Sequence, residues 1–175
     1  MLKGIIHCHS RYSFDSIVSI SDIVKTIKKH QLDFVILTDH NTIEGSIALK
    51  HALKQHNLQH VQVPIAAEYD TEYGDVIAAF VTEELDYNQS FSNFVDQVKS
   101  QGGIILFPHP YNGHCNIMKI AYQSDLIEVF NSRQSESGDE KSKYLQEKLK
   151  KPFYYSSDAH LLCEFDNVIV QVDAF

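Results

Sequence analysis

Residues 7–15 read HCHSRYSFD, and the apolar run at 4–7, GIIH, leads straight into them. Histidines two apart on an extended chain point the same way, so His7 and His9 face one side while Cys8 faces the other. Neutral imidazole with carboxylate and no thiolate suits zinc, iron or manganese. A single His-x-His is a weak signal, more often two incidental histidines at a strand end, so the rest of the chain has to decide.

Apolar runs that read as buried strands recur at 4–7, 34–38, 61–66, 76–81, 104–107, 126–130, 153–156 and 168–172. Helix-period segments lie between several of them. Ser21 or Asp22 is positioned to cap a helix bearing Ile23, Val24 and Ile27; Phe91, Phe94, Val95 and Val98 form a second stripe ending at Gly102 and Gly103. The segment 139–151, DEKSKYLQEKLKK, starts acidic and ends basic, as the helix dipole favours. Strands without polar alternation, separated by helices, predict a mostly parallel sheet covered by helices.

At or just past the ends of these strands stand His7 and His9, Asp39 and His40, Glu68, His109, Asn131, and Asp158 and His160. An open doubly wound sheet gathers its ligands at one switch point, whereas a barrel-type α/β fold builds a site from many strand ends at one rim. The barrel is therefore the expected architecture, in one domain spanning residues 1–175.

With 43% hydrophobic and 22% charged residues, the composition is that of an ordinary globular protein. No run approaches the ~20 apolar residues of a membrane span, and the start, MLKGIIHCHS, lacks a signal-peptide pattern, so a cytoplasmic location and no membrane partner are expected. The formal charge of −8 argues against a general nucleic-acid-binding surface. Cys8, Cys115 and Cys163 show no CxxC pairing and are expected to be buried small hydrophobes. The sequence carries no signal for an oligomeric state.

Further clusters favour the metal reading. TDH at 38–40 and SDAH at 157–160 each put an aspartate and a histidine just beyond a strand, and PHPY at 108–111 fixes His109 between two prolines. By contrast, His30, His51, His56 and His60 fall in polar, helical surroundings and read as surface residues; His114, in the loop after HPYNG, fits either role.

Taken in order, HCHSRYSFD, TDHNT, AAEYD, FPHPY, IEVFNSR and SSDAH resemble the successive motifs of the polymerase and histidinol phosphatase (PHP) family, over essentially the whole chain. The resemblance implies a distorted seven-stranded (β/α) barrel and a metal-dependent phosphoesterase holding two or three divalent ions (manganese, zinc or iron). It implies His7, His9, Glu68 and Asp158 on one metal, Glu68 bridging to a second held by His109, and Asp15, His40 and His160 on a third. Many relatives place a histidine on the strand after Glu68; here YGDVIAAF offers Asp75, either a ligand favouring a harder ion or a turn residue.

The chemistry so implied is hydrolysis of a small-molecule phosphate ester (a nucleotide, sugar or amino-alcohol phosphate) by metal-bound hydroxide, with no covalent intermediate. Asp39, beside His40, is expected to orient an imidazole. The chain has only two arginines, Arg11 and Arg133, and both lie in the motif segments. Their planar forks suit phosphoryl oxygens, and Asn131 is a further candidate substrate contact. Two alternatives stand beside this reading. An amidohydrolase-type enzyme also opens with His-x-His but usually bridges its metals with a carboxylated lysine. A metal-binding module without turnover is the other.

Overall fold

The computed structural model describes residues 1–86 and 89–173. Among them the apolar runs form strands β1 (Leu2–Cys8), β2 (Phe34–Leu37), β3 (Ala66–Thr71), β4 (Gly74–Ala79), β5 (Ile104–Phe107), β6 (Leu126–Asn131), β7 (Phe153–Ser156) and β8 (Val170–Val172). Helices α1 (Ile20–His30), α2 (Glu44–Gln55), α3 (Phe91–Ser100), α4 (Ile117–Gln123) and α5 (Glu136–Leu149) alternate with them. The cap of α1 is Ser19, not Ser21 or Asp22; its hydroxyl accepts from the Asp22 backbone N–H. Ser90 and Ser135 cap α3 and α5 in the same way, each stabilising its helix by about 1 kcal/mol.

The expected strand at 61–66 is displaced. Pro64 has no N–H to give a ladder, and the run makes only an isolated bridge between Gln62 and Phe34; the strand proper begins at Ala66. The expectation of a mostly parallel sheet also needs correcting. β1–β2, β5–β6 and β6–β7 are parallel, but β3–β4, β4–β5 and β1–β8 are antiparallel. Between Thr71 and Gly74 the chain is too short for a parallel crossover, so β3 and β4 close as a hairpin, with Gly74 at φ +113°.

The ladders form two sheets, β2-β1-β8 and β3-β4-β5-β6-β7, and do not close into the single barrel that the sequence predicts. Isolated parallel bridges, Cys8 to Ala159 and His40 to Glu68, link the two sheets at the end that carries the histidines. Ile6, Phe34, Ile36, Ile77, Leu106 and Tyr154 pack between the sheets. Separate apolar clusters lie beneath α1 and α2, around Ile23, Ile27, Leu49 and Leu53, and beneath α3 to α5, around Phe94, Val98, Ile120 and Leu145. Burying each such side chain contributes about 1.5–3 kcal/mol. Of the cysteines only Cys8 is buried; Cys115 and Cys163 are exposed, contrary to expectation. Among the described residues no helix is long and apolar enough to cross a membrane.

Candidate metal centre

β1 pairs Ile6 with Ile36 and Cys8 with Leu37, which leaves His7 as the extra residue of a bulge, at φ +60°. The bulge brings its ring within 5.4 Å of the His9 ring, centroid to centroid. His9 is held just past the strand by its backbone N–H, which donates to Ala159 O at 2.8 Å. His109 and Asp158 also sit at positive φ, 26° and 50°, in a region that non-glycine residues rarely occupy and that recurs at functional sites.

These elements converge. Glu68, in β3 and 1% exposed, points one oxygen each way: Oε1 is 3.2 Å from His109 Nε2, while Oε2 is 3.2 Å from both His7 Nε2 and His9 Nε2. Asp158 Oδ1 lies 3.2 Å from His7 Nε2 and 3.3 Å from His9 Nε2. At the mouth, Asp15 Oδ2 is 2.9 Å from His160 Nε2 and 3.5 Å from His40 Nε2. The His9 ring stacks on both His40 and His160.

Donor atoms within 4.8 Å of one another occur in the sets His7, His9 and Glu68; His7, His109 and Asp158; Glu68, Asp75 and His109; His9, Asp15, His40 and His160; and His40, Asp70 and Asp75. Every histidine and carboxylate that the resemblance assigns to a metal falls in one of them. His30, His51, His56 and His60 fall in none, and His114 instead donates from Nε2 to Asp75 O at 2.7 Å.

The imidazoles are oriented from behind. His7 Nδ1 faces Glu128 Oε1 at 3.0 Å, His109 Nδ1 donates to Asn112 O at 3.3 Å, and His160 Nδ1 donates to Asp158 O at 2.8 Å. Each bond leaves Nε2 for the cluster, the arrangement that metal-ligating histidines adopt. His9 Nε2 is buried with no hydrogen-bond partner, although two carboxylate oxygens stand beside it. Several acids and imidazoles, no buried lysine or arginine among the described residues, and an orphaned ring nitrogen together fit a bound cation.

The electrostatics carry the same message. Burial alone depresses the His7 imidazole, but Asp158, Glu68 and Glu128 outweigh it and hold the ring well above its ordinary pKa. His109, likewise buried, is raised to about 9 by Glu68 and Glu128. Against the burial that raises it, Glu68 is held well below the carboxylate range by His7 and His109. In the metal-free protein, these upward shifts favour protons on His7 and His109, whose positive charge offsets the acids.

Five further expected residues take the following places. Asp39 does not touch an imidazole: its oxygens accept from the Ser10 N–H at 2.6 Å and the Ser10 hydroxyl at 2.8 Å, pinning the turn after His9. A Cβ at Gly45 would overlap Asp39 Oδ2, so only glycine lets α2 approach this carboxylate. Asn131 is buried behind the cluster, its amide donating to Glu128 Oε2 at 2.9 Å and Asp158 Oδ2 at 3.2 Å. Asp75 lies within β4 opposite Asp70, not in a turn. Arg11 is exposed, and Arg133 Nη1 is 3.3 Å from both oxygens of Glu164.

Glu128 went unrecognised in the sequence, although one acid inside the apolar run LIEVF was the available signal. It is 1% exposed and accepts from His7, from the His109 backbone N–H at 2.6 Å, from Asn131 and from the Ser156 hydroxyl. Glu128→Gln keeps the volume but turns one acceptor into a donor; a 10- to 100-fold weaker metal affinity is expected, read by calorimetric titration. Unchanged affinity would remove Glu128 from the account.

A model of the PHP domain matches residues 6–171 of the chain. An uncharacterized protein of Methanocaldococcus jannaschii is 32% identical over 144 residues, covering 75% of this chain and 82% of that protein. The fold is similar to a two-domain protein of Bacteroides vulgatus containing a predicted PHP-like metal-dependent phosphoesterase, with a TM-score of 0.73 and 18% identity over 94% of this chain. The chain spans 54% of that structure's length, about half. It is also similar in fold to an amidohydrolase of Chromobacterium violaceum solved with bound sulfate and no metal, with a TM-score of 0.76, 12% identity, and 97% and 91% of the two chains covered.

Proposed function

Because the chain belongs to the PHP domain family, we propose that it hydrolyses the phosphate ester of a small molecule at a centre of two or three divalent cations. The carrying observation is Glu68, a buried carboxylate whose two oxygens face separate histidine groups. His7, His9 and Asp158 would hold a cation on one side of it, His109 and Asp75 on the other, and Asp15, His40 and His160 at the mouth. Bound divalent cations supply acidified water and neutralise charge gathering on a phosphoryl group. The bridges from β3 and from the segment just after β7, the two ends of the five-stranded sheet, support reading the fold as a distorted barrel with this rim as its active end.

The chain's own residues fix this arrangement. Glu128 and Asn131 hold His7 and Asp158 in place, and Asp39 keeps the loop after His9 from shifting. Arg133 sits on the Glu164 carboxylate, whose Oε2 accepts from the His160 N–H at 2.8 Å. That tether keeps a guanidinium near the mouth, where it can grip non-bridging phosphoryl oxygens; Arg11, on the loop after His9, would approach from the other side.

The test is phosphate release from a panel of nucleotide, sugar and amino-alcohol phosphates with added manganese, zinc or iron. Release that chelator and His9→Ala abolish is expected; no release from any substrate would overturn the proposal. Arg133→Ala should lower kcat/KM roughly 10- to 100-fold, the worth of a charge-assisted contact, with metal content unchanged. Metal loss in that variant would contradict the role. The amidohydrolase reading rests on fold similarity, and the buried bridging group here is a glutamate; hydrolysis of amides or lactones in place of phosphate esters would favour it.

A further inference from the structure

The donor sets around the centre differ in kind. The mouth set, His9, Asp15, His40 and His160, offers three imidazoles and one carboxylate, whereas Glu68, Asp75 and His109 offer two carboxylates and one imidazole. A further carboxylate stands beside the second set, because the β3–β4 register puts Asp70 directly opposite Asp75. Asp70 is held from both sides by Asn41, accepting from its Nδ2 at 2.9 Å and donating its own backbone N–H to Oδ1 at 3.1 Å. His114 Nε2 donates to the Asp75 carbonyl, fixing the strand there, and His109 spends Nδ1 on Asn112. Only the His109 Nε2 is left to face the acids.

We propose that Asp75, with Asp70 beside it, makes the Glu68–Asp75–His109 position an oxygen-rich cation site that selects a harder ion than the imidazole-rich positions of the same centre, so that the protein carries two kinds of metal at once. The inference rests on the metal-dependent reading above. Carboxylates suit manganese and magnesium, and imidazole suits zinc and iron. Zinc generally binds more tightly than manganese to nitrogen and oxygen ligands, so the difference appears as a ratio: the manganese-to-zinc preference is greater at Asp75 than elsewhere.

The experiment loads the full chain with excess manganese, adds zinc stepwise, removes free ions by desalting and measures both metals per chain, with the manganese EPR signal as a second readout. Displacement in two stages is expected, the second needing roughly tenfold more zinc than the first. Asp75→His should merge the stages, and the exposed Asp70→Asn should narrow their separation. One-stage displacement in the wild type, or an unchanged second stage in Asp75→His, would overturn the proposal. If circular dichroism shows Asp75→His unfolded, Asp70→Asn decides, and an unaltered second stage there overturns it. A wild type that binds neither metal overturns the metal-centre reading itself, a result distinct from binding both and releasing manganese in one stage.

Discussion

Glu68→Gln is expected to reduce phosphate release by about 10²- to 10³-fold, a loss as large as removing a principal electrostatic group from an active site. The substitution keeps shape and volume, so β3 and its hairpin should persist. What changes is the charge at the point where His7, His9 and His109 meet. A neutral amide leaves those imidazoles facing one another without the acid that separates them, and it offers one weak oxygen in place of two charged ones. Metal content should fall along with activity. A Glu68→Gln protein that keeps both would mean that the central carboxylate is structural and that Asp158 or Asp75 does its work.

The second large effect concerns stability. Glu68, Glu128 and Asp158 are all buried, and among the described residues no buried lysine or arginine offsets them. A cation that binds only the folded chain, present at 1,000 times its dissociation constant, adds about 4.1 kcal/mol. For a domain of this size that corresponds to a Tm rise of roughly 8–16 °C over chelator-treated protein, read by calorimetry. The gain should increase with pH. His109, raised to about 9, adds stability to the metal-free protein that is present below the unfolded value of about 6.5 and is lost as the pH climbs through the folded value. Metal binding also competes with those same protons. Equal Tm values with and without metal would show that protons alone satisfy the acids.

The order of histidines along the chain was enough to foresee the cluster, because imidazoles after four separate apolar runs have few uses other than a shared site. Strand direction was not legible. Apolar periodicity says that a strand is buried but not which way its neighbour runs, and the hairpin at Thr71 to Gly74 depends on a turn too short for a crossover. Asp39 was misplaced for a local reason: neighbours on an extended chain point to opposite sides, so the residue next to His40 faces Ser10 instead. Glu128 was overlooked because an acid within LIEVF looks like a strand residue until four donors are seen around it. The scarcity of arginines was legible, but the partner of Arg133, Glu164, lies 31 residues away, and no spacing argument reaches it.

Anomalous diffraction from crystals grown with manganese tests the central claim most directly. Peaks on both sides of Glu68, one bordered by His7, His9 and Asp158 and the other by His109, are the predicted result. A well-ordered, manganese-soaked crystal with no peak among these side chains, or with peaks only at surface carboxylates, would contradict it.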